Sequence, residues 1–242
     1  MRYLVISDIH ANLEAFKAVL QDAQGQWDCI WCLGDIVGYG PNPNECMALL
    51  REHNHLSLSG NHDWAVLGKL DIESFNAEAR TAIRWTQGAI NDETRQYLSQ
   101  LPPSAVDDPF TLVHASPRQP VWEYILDERT AAQNLAYFDT PYCLVGHSHV
   151  PLLFAKVSPD RCRLSPPAYG EPITLGEQRL IINPGSVGQP RDSDPRAAYG
   201  LLDSESMTWE HHRIAYDVAE TQGKMRENGM PYRLVARLQV GW

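Results

Sequence analysis

The chain has no long apolar run and no excess of basic residues, and both absences narrow what it can do. No apolar stretch in its 242 residues approaches the ~18 residues that a membrane-spanning helix needs. The net charge of -10 argues against a nucleic-acid polymer as ligand, because sequence-independent binding to phosphate backbones depends on lysine and arginine. No cleavable apolar segment follows Met1-Arg2, so we expect no signal peptide and a cytoplasmic location.

Cysteine is also scarce. The five cysteines are an odd number and lack the spacing of a zinc finger. Cys29 and Cys32 form a C-x-x-C pair, which could indicate redox chemistry. Both lie in an apolar, strand-like stretch, so we interpret them as buried packing thiols. The remaining composition, 43% hydrophobic and 21% charged, is that of an ordinary soluble globular protein with a substantial core.

The first half of the chain alternates strand and helix signals. Asn12 predicts the cap of a first helix, and Asn42 with Pro43 and Glu45 predicts the start of a second. The strands are predicted near residues 2–7, 28–33 and 56–58, and the helices at 13–24, from 43 onward and across 71–100.

The second half is rich in strand signals. They lie near 110–114, 142–146, 151–156, 173–175, 179–182, 198–203 and 207–213, with helices near 128–137 and 217–228. This shift could signal two domains. Because metal-type residues come from both halves, we favour one domain over 1–242, with a helical insertion at about 71–100 and a C-terminal helix and tail at about 216–242. The expected class is α/β (α+β in some schemes), with two packed mixed β-sheets flanked by helices.

Five short polar segments carry the chemistry, and nearly all of them follow an apolar, strand-like run. In open α/β sheets, sites form beyond the carboxyl ends of strands. Carboxylate, amide and imidazole groups suit Mn, Fe, Co or Zn, so the pattern predicts a metal-dependent hydrolase. The segments are Asp8-Ile9-His10, Gly34-Asp35, Gly60-Asn61-His62-Asp63, His114 and Gly146-His147-Ser148-His149.

Four other histidines lie outside these segments. We interpret them as solvated or strand-surface residues: His53, His55, His211 and His212.

The ordered set D-x-H, G-D, G-N-H-D, H and G-H-S-H resembles the calcineurin-like metallophosphoesterase superfamily, in particular its branch of small prokaryotic phosphoesterases. The resemblance runs from Ser7-Asp8-Ile9-His10-Ala11-Asn12 to the segment 183–192, Asn-Pro-Gly-Ser-Val-Gly-Gln-Pro-Arg-Asp. It implies a four-layer α/β/β/α fold and hydrolysis of a phosphoester by a metal-activated water.

The resemblance also implies a dinuclear site with a set of roles. Asp35 would bridge two divalent ions, for which Mn is favoured and Fe, Zn, Co or Ni are alternatives. A shared carboxylate offsets the repulsion between two cations ~3.5–4 Å apart. His62 is the candidate general acid, or a hydrogen-bond donor to the phosphoryl group. The first ion would be held by Asp8, His10 and His149, and the second by Asn61, His114 and His147.

The sequence departs from the G-D-x-x-D-R-G pattern of the protein-phosphatase relatives. Gly38 stands where an acidic partner of the catalytic histidine is expected, and Tyr39 stands where a phosphate-gripping arginine is expected. Arg191 could replace that arginine, since a guanidinium suits bidentate phosphate recognition, or it could form a structural salt bridge. Tyr39, on a glycine-rich loop that we expect to be exposed, is a second candidate for a substrate contact.

Several functions stay open at this stage. The leading hypothesis is hydrolysis of a small phosphomonoester or phosphodiester, possibly a nucleotide. The alternatives are a dinucleoside polyphosphate hydrolase and a non-catalytic scaffold of the same fold. Aromatic residues could stack on a base or simply pack the core: Trp64, Trp122 and Tyr124. The oligomeric state, including a homo-oligomer, is also open.

Overall fold

The apolar strands of the sequence pair into two six-stranded mixed sheets. The computed structural model describes all residues, 1–242. The first sheet has the strand order β3-β2-β1-β11-β12-β9, in which β1, β2 and β3 run parallel and the other pairs are antiparallel. Its strands are β1 (Arg2–Ile6), β2 (Cys29–Cys32), β3 (His55–Ser57), β9 (Ile173–Thr174), β11 (Ala197–Asp203) and β12 (Thr208–Ile214).

The second sheet has the order β4-β5-β6-β10-β7-β8, with β5, β6 and β10 parallel to one another. Two of its strands were not predicted, because the exposed, polar β4 and β8 lack a long apolar run. Its strands are β4 (Ser104–Asp107), β5 (Phe110–Val113), β6 (Tyr142–Leu144), β7 (Leu152–Ser158), β8 (Arg161–Ser165) and β10 (Leu180–Asn183).

Successive side chains of each strand face opposite sides of the first sheet, which gives it two packing surfaces. In β1, Leu4 and Ile6 face the helices outside the first sheet, whereas Val5 faces the second sheet. Cys32 packs on the helix side and Cys29 on the inter-sheet side, and both thiols are free and buried. The two sulfurs therefore point to opposite faces, which fits the packing role predicted for them.

Helices cover both outer faces. Most lie on the first sheet, and only α6 covers the outer face of the second. The predicted fold class, with two mixed sheets between helical layers, is therefore confirmed. The helices are α1 (Leu13–Asp22), α2 (Pro43–Arg51), α3 (Asn61–Val66), α4 (Ala77–Ala89), α5 (Asp92–Gln100), α6 (Glu128–Asn134), α7 (Val218–Glu227) and α8 (Tyr232–Arg237).

The helical region 71–100 is not one continuous helix. Asn76 and Asn91 each accept a hydrogen bond from the backbone N–H three residues on, and so begin α4 and α5 as separate helices after a short 3₁₀ turn at Ile72–Ser74. Asn42, in contrast, makes no side-chain cap bond at the start of α2, although Pro43 occupies the first turn as predicted. No helix has both the length and the apolar character to cross a membrane.

Candidate metal centre

The polar segments converge where the parallel strands end. The loops after β1, β2 and β3 meet the loops after β5 and β6 at one edge of the two sheets. Every candidate ligand is buried there, with 4% of its surface exposed at most: Asp8, His10, Asp35, Asn61, His114, His147 and His149.

The first group contains Asp8, His10 and His149, whose donor atoms lie within 4.8 Å of one another. The Nε2 atom of His149 is 3.3 Å from Asp8 Oδ1, and the Nε2 atom of His10 is 3.8 Å from the same oxygen. The two imidazole Nε2 atoms are 3.2 Å apart.

The second group contains Asp35, His114 and His147, again with donor atoms within 4.8 Å. Asn61 Oδ1 joins this group at 3.2 Å from His114 Nε2. Asp35 Oδ2 lies 3.4 Å from His114 Nε2 and 3.6 Å from His10 Nε2, so this oxygen faces both groups.

Backbone carbonyls fix which imidazole nitrogens are free. His10 Nδ1 contacts Val37 O at 3.2 Å, and His149 Nδ1 contacts Gln189 O at 2.6 Å. A carbonyl oxygen only accepts, so both Nδ1 atoms must carry the proton. In the neutral rings the Nε2 lone pairs then face each other and Asp8, an arrangement that a cation between them would stabilise.

The same argument applies to the second group. His114 donates from Nδ1 to Leu33 O at 2.9 Å, which leaves its Nε2 facing the oxygens of Asp35 and Asn61. His147 contacts Trp122 O through Nε2 at 3.2 Å, which leaves Nδ1 as its free donor atom. The protein thus orients each ring through its second nitrogen, as ligating histidines require.

Two buried carboxylate oxygens lack any hydrogen-bond partner, and they are Asp8 Oδ1 and Asp35 Oδ2. Their companion oxygens are satisfied by the backbone N–H groups of His147 at 3.0 Å and His62 at 2.8 Å. An unpartnered buried carboxylate oxygen is costly. Divalent cations would satisfy both oxygens, so the donor set fits two metal ions.

The electrostatics of the protein without cations point the same way. Burial opposes protonation of His114, but the Asp35 carboxylate outweighs it and raises the pKa of His114 to about 9. Burial lowers the pKa of His10 and of His149 well below the usual value, so both rings are neutral ligands at pH 7. A proton thus occupies the second group in the absence of a metal ion.

Backbone strain is concentrated in the ligand loops. Left-handed conformations are uncommon for residues other than glycine and cost about 1–3 kcal/mol each unless the surrounding structure enforces them. Five of the seven candidate ligands adopt positive φ between 48° and 63°: Asp8, His10, Asp35, His147 and His149.

His62 has no acidic partner. Its Nδ1 is buried without a hydrogen-bond partner, and its ring packs against Tyr39 at a centroid distance of 4.3 Å and Phe75 at 5.4 Å. A Cβ at Gly38 would lie 2.7 Å from His62 Nδ1, and Gly38 has a φ of +95°. The glycine therefore makes room for the imidazole at the position where an acidic partner was expected. Burial lowers the pKa of His62 to about 4, so the ring is neutral at pH 7.

Both predicted substrate contacts line the cavity above the two groups, which has a volume of about 210 Å³. Tyr39 is not exposed as expected but buried, because its ring packs between His10 and His62. Arg191 forms no ion pair: its guanidinium donates to Gln189 Oε1 at 3.0 Å, and the neighbouring Asp192 pairs with Arg213 instead. The structural salt-bridge alternative for Arg191 is therefore wrong.

Two of the three aromatic candidates also line this cavity, and they are Trp122 and Tyr124. The Tyr124 ring stacks on His147 at 4.1 Å, and Trp122 contacts Phe75 at 5.1 Å. Trp64 does not line the cavity.

Two supporting residues were given no role from the sequence. Asp63 accepts hydrogen bonds from Gly60 N and Val37 N and so ties two ligand loops together. Asn183 donates to Gly146 O and Ser148 Oγ and so holds the third loop. Only their places within the segments 60–63 and 183–192 pointed to them.

The interpretation of His211 as a surface residue was wrong. It is 3% exposed, because its side chain points between the two sheets rather than to solvent. Trp209 Nε1 donates to His211 Nδ1, and His211 Nε2 contacts Asn183 O, both at 2.9 Å. His53, His55 and His212 are half-buried.

The two sheets and the paired donor groups define a metallophosphoesterase-type fold with a candidate dinuclear site. Residues 1–207 match the family model of the calcineurin-like phosphoesterase superfamily domain. The chain belongs to this family of phosphoester hydrolases.

Individual relatives extend the match to the whole chain. A metallophosphoesterase from Sphaerobacter thermophilus is 49% identical, with a TM-score of 0.92 over 100% of this chain and 99% of that one. An uncharacterized protein of Methanocaldococcus jannaschii is 39% identical over 98% of this chain and 97% of its own length. A hypothetical protein of Pyrococcus horikoshii shares the fold, with 20% identity and a TM-score of 0.79 over 100% of this chain and 98% of its own.

Proposed function

We propose that the protein hydrolyses a phosphomonoester or phosphodiester bond in a small phosphorylated substrate, using two divalent metal ions, with Mn²⁺ as the favoured metal. The observation that carries the proposal is the pair of adjacent buried donor groups, each with a carboxylate oxygen that has no hydrogen-bond partner and with imidazole nitrogens close to that oxygen.

The ligand roles follow from these contacts. Asp35 is proposed as the bridge, since its Oδ2 faces His10 and His114 alike. The first ion is assigned to Asp8, His10 and His149, and the second to Asn61, His114 and His147. When bound, such ions polarise phosphoryl oxygens and lower the pKa of a water molecule.

The remaining cavity residues are proposed to bind the phosphoryl group. Arg191 offers a guanidinium that forms no ion pair, and its buried Nε has no partner. His62 is neutral and is proposed as a hydrogen-bond donor to the phosphoryl or leaving oxygen. Tyr39 closes the cavity beside it. Hydrolysis breaks one P–O bond and adds one water, whose proton goes to the leaving oxygen.

The test separates metal binding from turnover. Protein stripped with a chelator is reloaded with Mn²⁺, Fe²⁺, Co²⁺, Ni²⁺ or Zn²⁺, and its metal content is measured by mass spectrometry. Hydrolysis of p-nitrophenyl phosphate and of bis(p-nitrophenyl) phosphate is then followed. We expect two ions per chain and turnover of at least one ester. Two bound ions without any turnover would favour the scaffold alternative, and failure to bind ions would remove the metal assignment.

A further inference from the structure

The guanidinium of Arg191 depends on one neighbouring side chain for its orientation. Its Nη2 atom donates to Gln189 Oε1 at 3.0 Å, and its Nε atom is buried without a hydrogen-bond partner. The Tyr39 ring lies beside the guanidinium, with its centroid 5.8 Å from Arg191 Cζ. This ring offers a face but no fixed direction, so the hydrogen bond to Gln189 decides where the guanidinium points.

Gln189 is itself held firmly through its backbone. Its carbonyl oxygen accepts from His149 Nδ1 at 2.6 Å, and its N–H donates to Ser186 Oγ at 2.9 Å. The residue is 1% exposed. The same residue therefore orients the imidazole of a candidate metal ligand with its backbone and a guanidinium with its side chain.

The side-chain amide of Gln189 has two ends, and only one of them suits Arg191. The oxygen accepts hydrogen bonds, whereas the NH₂ group can only donate and would face the N–H groups of the guanidinium. Arg237 Nη1 donates to the same Oε1 atom at 3.2 Å, while Gln189 Nε2 has no partner. Because a second donor also requires the oxygen at this place, Arg237 opposes rotation of the amide.

Arg237 is placed by the C-terminal part of the fold. It is the last residue of α8 and lies outside residues 1–207, which match the family model. Its Nε atom donates to Trp242 O, so its guanidinium is anchored at two points. Helix α8 is fixed in turn by buried apolar side chains on the outer face of the first sheet: Leu234, Val235 and Leu238.

The acceptor between the two guanidinium groups is neutral. A glutamate at position 189 would be nearly the same shape as glutamine, but it would form an ion pair with Arg191. A guanidinium that is already paired with a carboxylate attracts a phosphate less strongly. Asp192, the acidic neighbour in the chain, pairs with Arg213 instead. The amide thus orients Arg191 without forming an ion pair with it.

We propose that Gln189 and Arg237 are positioning residues for Arg191. Gln189 directs the guanidinium toward the phosphoryl group through a neutral acceptor, and Arg237 keeps the amide oxygen turned to it. The inference rests on the proposed phosphoester hydrolysis and adds a contribution of helix α8 to phosphate binding.

The first test changes the charge of the acceptor and keeps its shape. Gln189→Glu should raise KM for p-nitrophenyl phosphate about tenfold and change kcat less than threefold, because it weakens phosphate binding in the ground state and the transition state alike. Gln239→Glu adds the same charge at an exposed position just after α8 and should leave KM within twofold. An unchanged KM in Gln189→Glu would overturn the proposal, since a purely structural glutamine tolerates a glutamate of the same shape.

The second test asks whether Arg237 acts through Arg191. Arg237→Met should raise KM about fivefold in the wild-type background and should have no further effect in the Arg191→Ala background. Arg233→Met, on the exposed side of the same helix, is the matched control and should leave KM within twofold in both backgrounds. Equal effects of Arg237→Met in the two backgrounds would overturn the role of Arg237. If urea unfolding shows that Arg237→Met does not fold, Gln189→Glu decides the proposal.

A binding measurement separates the positioning role from the proposed function. Inorganic phosphate is titrated calorimetrically into the Mn²⁺-loaded wild-type protein and into Mn²⁺-loaded Gln189→Glu, for which we expect about tenfold weaker binding. Weaker binding in the variant, without ester turnover by the wild type, would uphold the positioning role and reject the hydrolase. Ester turnover with equal phosphate affinities would reject the positioning role alone. A wild-type protein that binds no phosphate would reject both.

Discussion

Buried imidazoles in two regions of the molecule differ in how many of their ring nitrogens have a hydrogen-bond partner. Between the sheets, His211 has a partner for each ring nitrogen. At the sheet edge, His10 and His149 each donate from Nδ1 to a carbonyl and leave their Nε2 atoms 3.2 Å apart. Burial alone therefore does not mark a metal site. The free lone pairs and the unpartnered carboxylate oxygens do.

The largest effect is expected when the carboxylate between the two donor groups loses its charge. Asp35→Asn should lower kcat/KM for p-nitrophenyl phosphate by about 10³-fold or more, because an amide cannot offset the repulsion between two cations. Metal content should fall below two ions per chain by mass spectrometry. Asp107→Asn, on the exposed strand β4, is the matched control and should retain both properties. Full metal content in Asp35→Asn would contradict the bridging assignment.

A substitution at Gly38 tests whether activity depends on the position of the His62 ring. Gly38→Ala places a Cβ 2.7 Å from His62 Nδ1, so we expect kcat/KM to fall about 10²-fold through displacement of that ring. Gly68→Ala is the control, since Gly68 also has a positive φ, +73°, but no atom within 4 Å of an added Cβ. Both variants should lose stability of about 1 kcal/mol from backbone strain, measured by urea unfolding. Equal activities in the two variants would argue against a role for His62.

The ligand loops could be predicted from the sequence because each follows a short apolar run, and parallel strands bring such loops to one edge. Helix α8 (Tyr232–Arg237) was not predicted. Helix α8 has only six residues, too few to show a helical period. The burial of His211 was not predicted, because its neighbours Glu210, His212 and Arg213 suggest a solvent-facing strand. In the structure the second sheet covers one face of this strand.

Outside the candidate metal centre, His211 gives a pH-dependent effect on stability. Burial lowers its pKa to about 4, whereas an unfolded histidine has a pKa of 6.5. The unfolded chain therefore binds the proton first, and the stability contributed by neutral His211 is complete above pH 6.5 and decreases as the pH falls toward 4. Between pH 7 and pH 5 this loss is about 2 kcal/mol.

His211→Gln should remove this pH dependence, because glutamine can replace the hydrogen bonds but does not titrate. Urea unfolding at pH 7 and pH 5 measures the free energy of unfolding of both proteins. The difference between wild type and variant at each pH removes the contribution of the other histidines. His212→Gln, a half-buried neighbour on the same strand, is the control. If the difference in free energy of unfolding between wild type and His211→Gln were the same at both pH values, His211 would not be buried in its neutral form.

The smallest effect is expected at Glu123. Like His211, its side chain is fully hydrogen-bonded, but it belongs to the loop that contacts the candidate ligand His147. It accepts hydrogen bonds from Ser116 Oγ at 2.7 Å and Asn134 Nδ2 at 2.8 Å, and it pairs with Arg118. Its chain neighbours Trp122 and Tyr124 contact His147 through a carbonyl and a stacked ring. Glu123→Gln should raise the Mn²⁺ concentration for half-maximal activity about tenfold, because it loosens the loop whose Trp122 carbonyl is the hydrogen-bond partner of His147. Glu93→Gln, which breaks an exposed pair with Arg51, should leave it unchanged. If Glu123→Gln and Glu93→Gln required the same Mn²⁺ concentration for half-maximal activity, the loop around Glu123 would have no role in orienting the His147 ring.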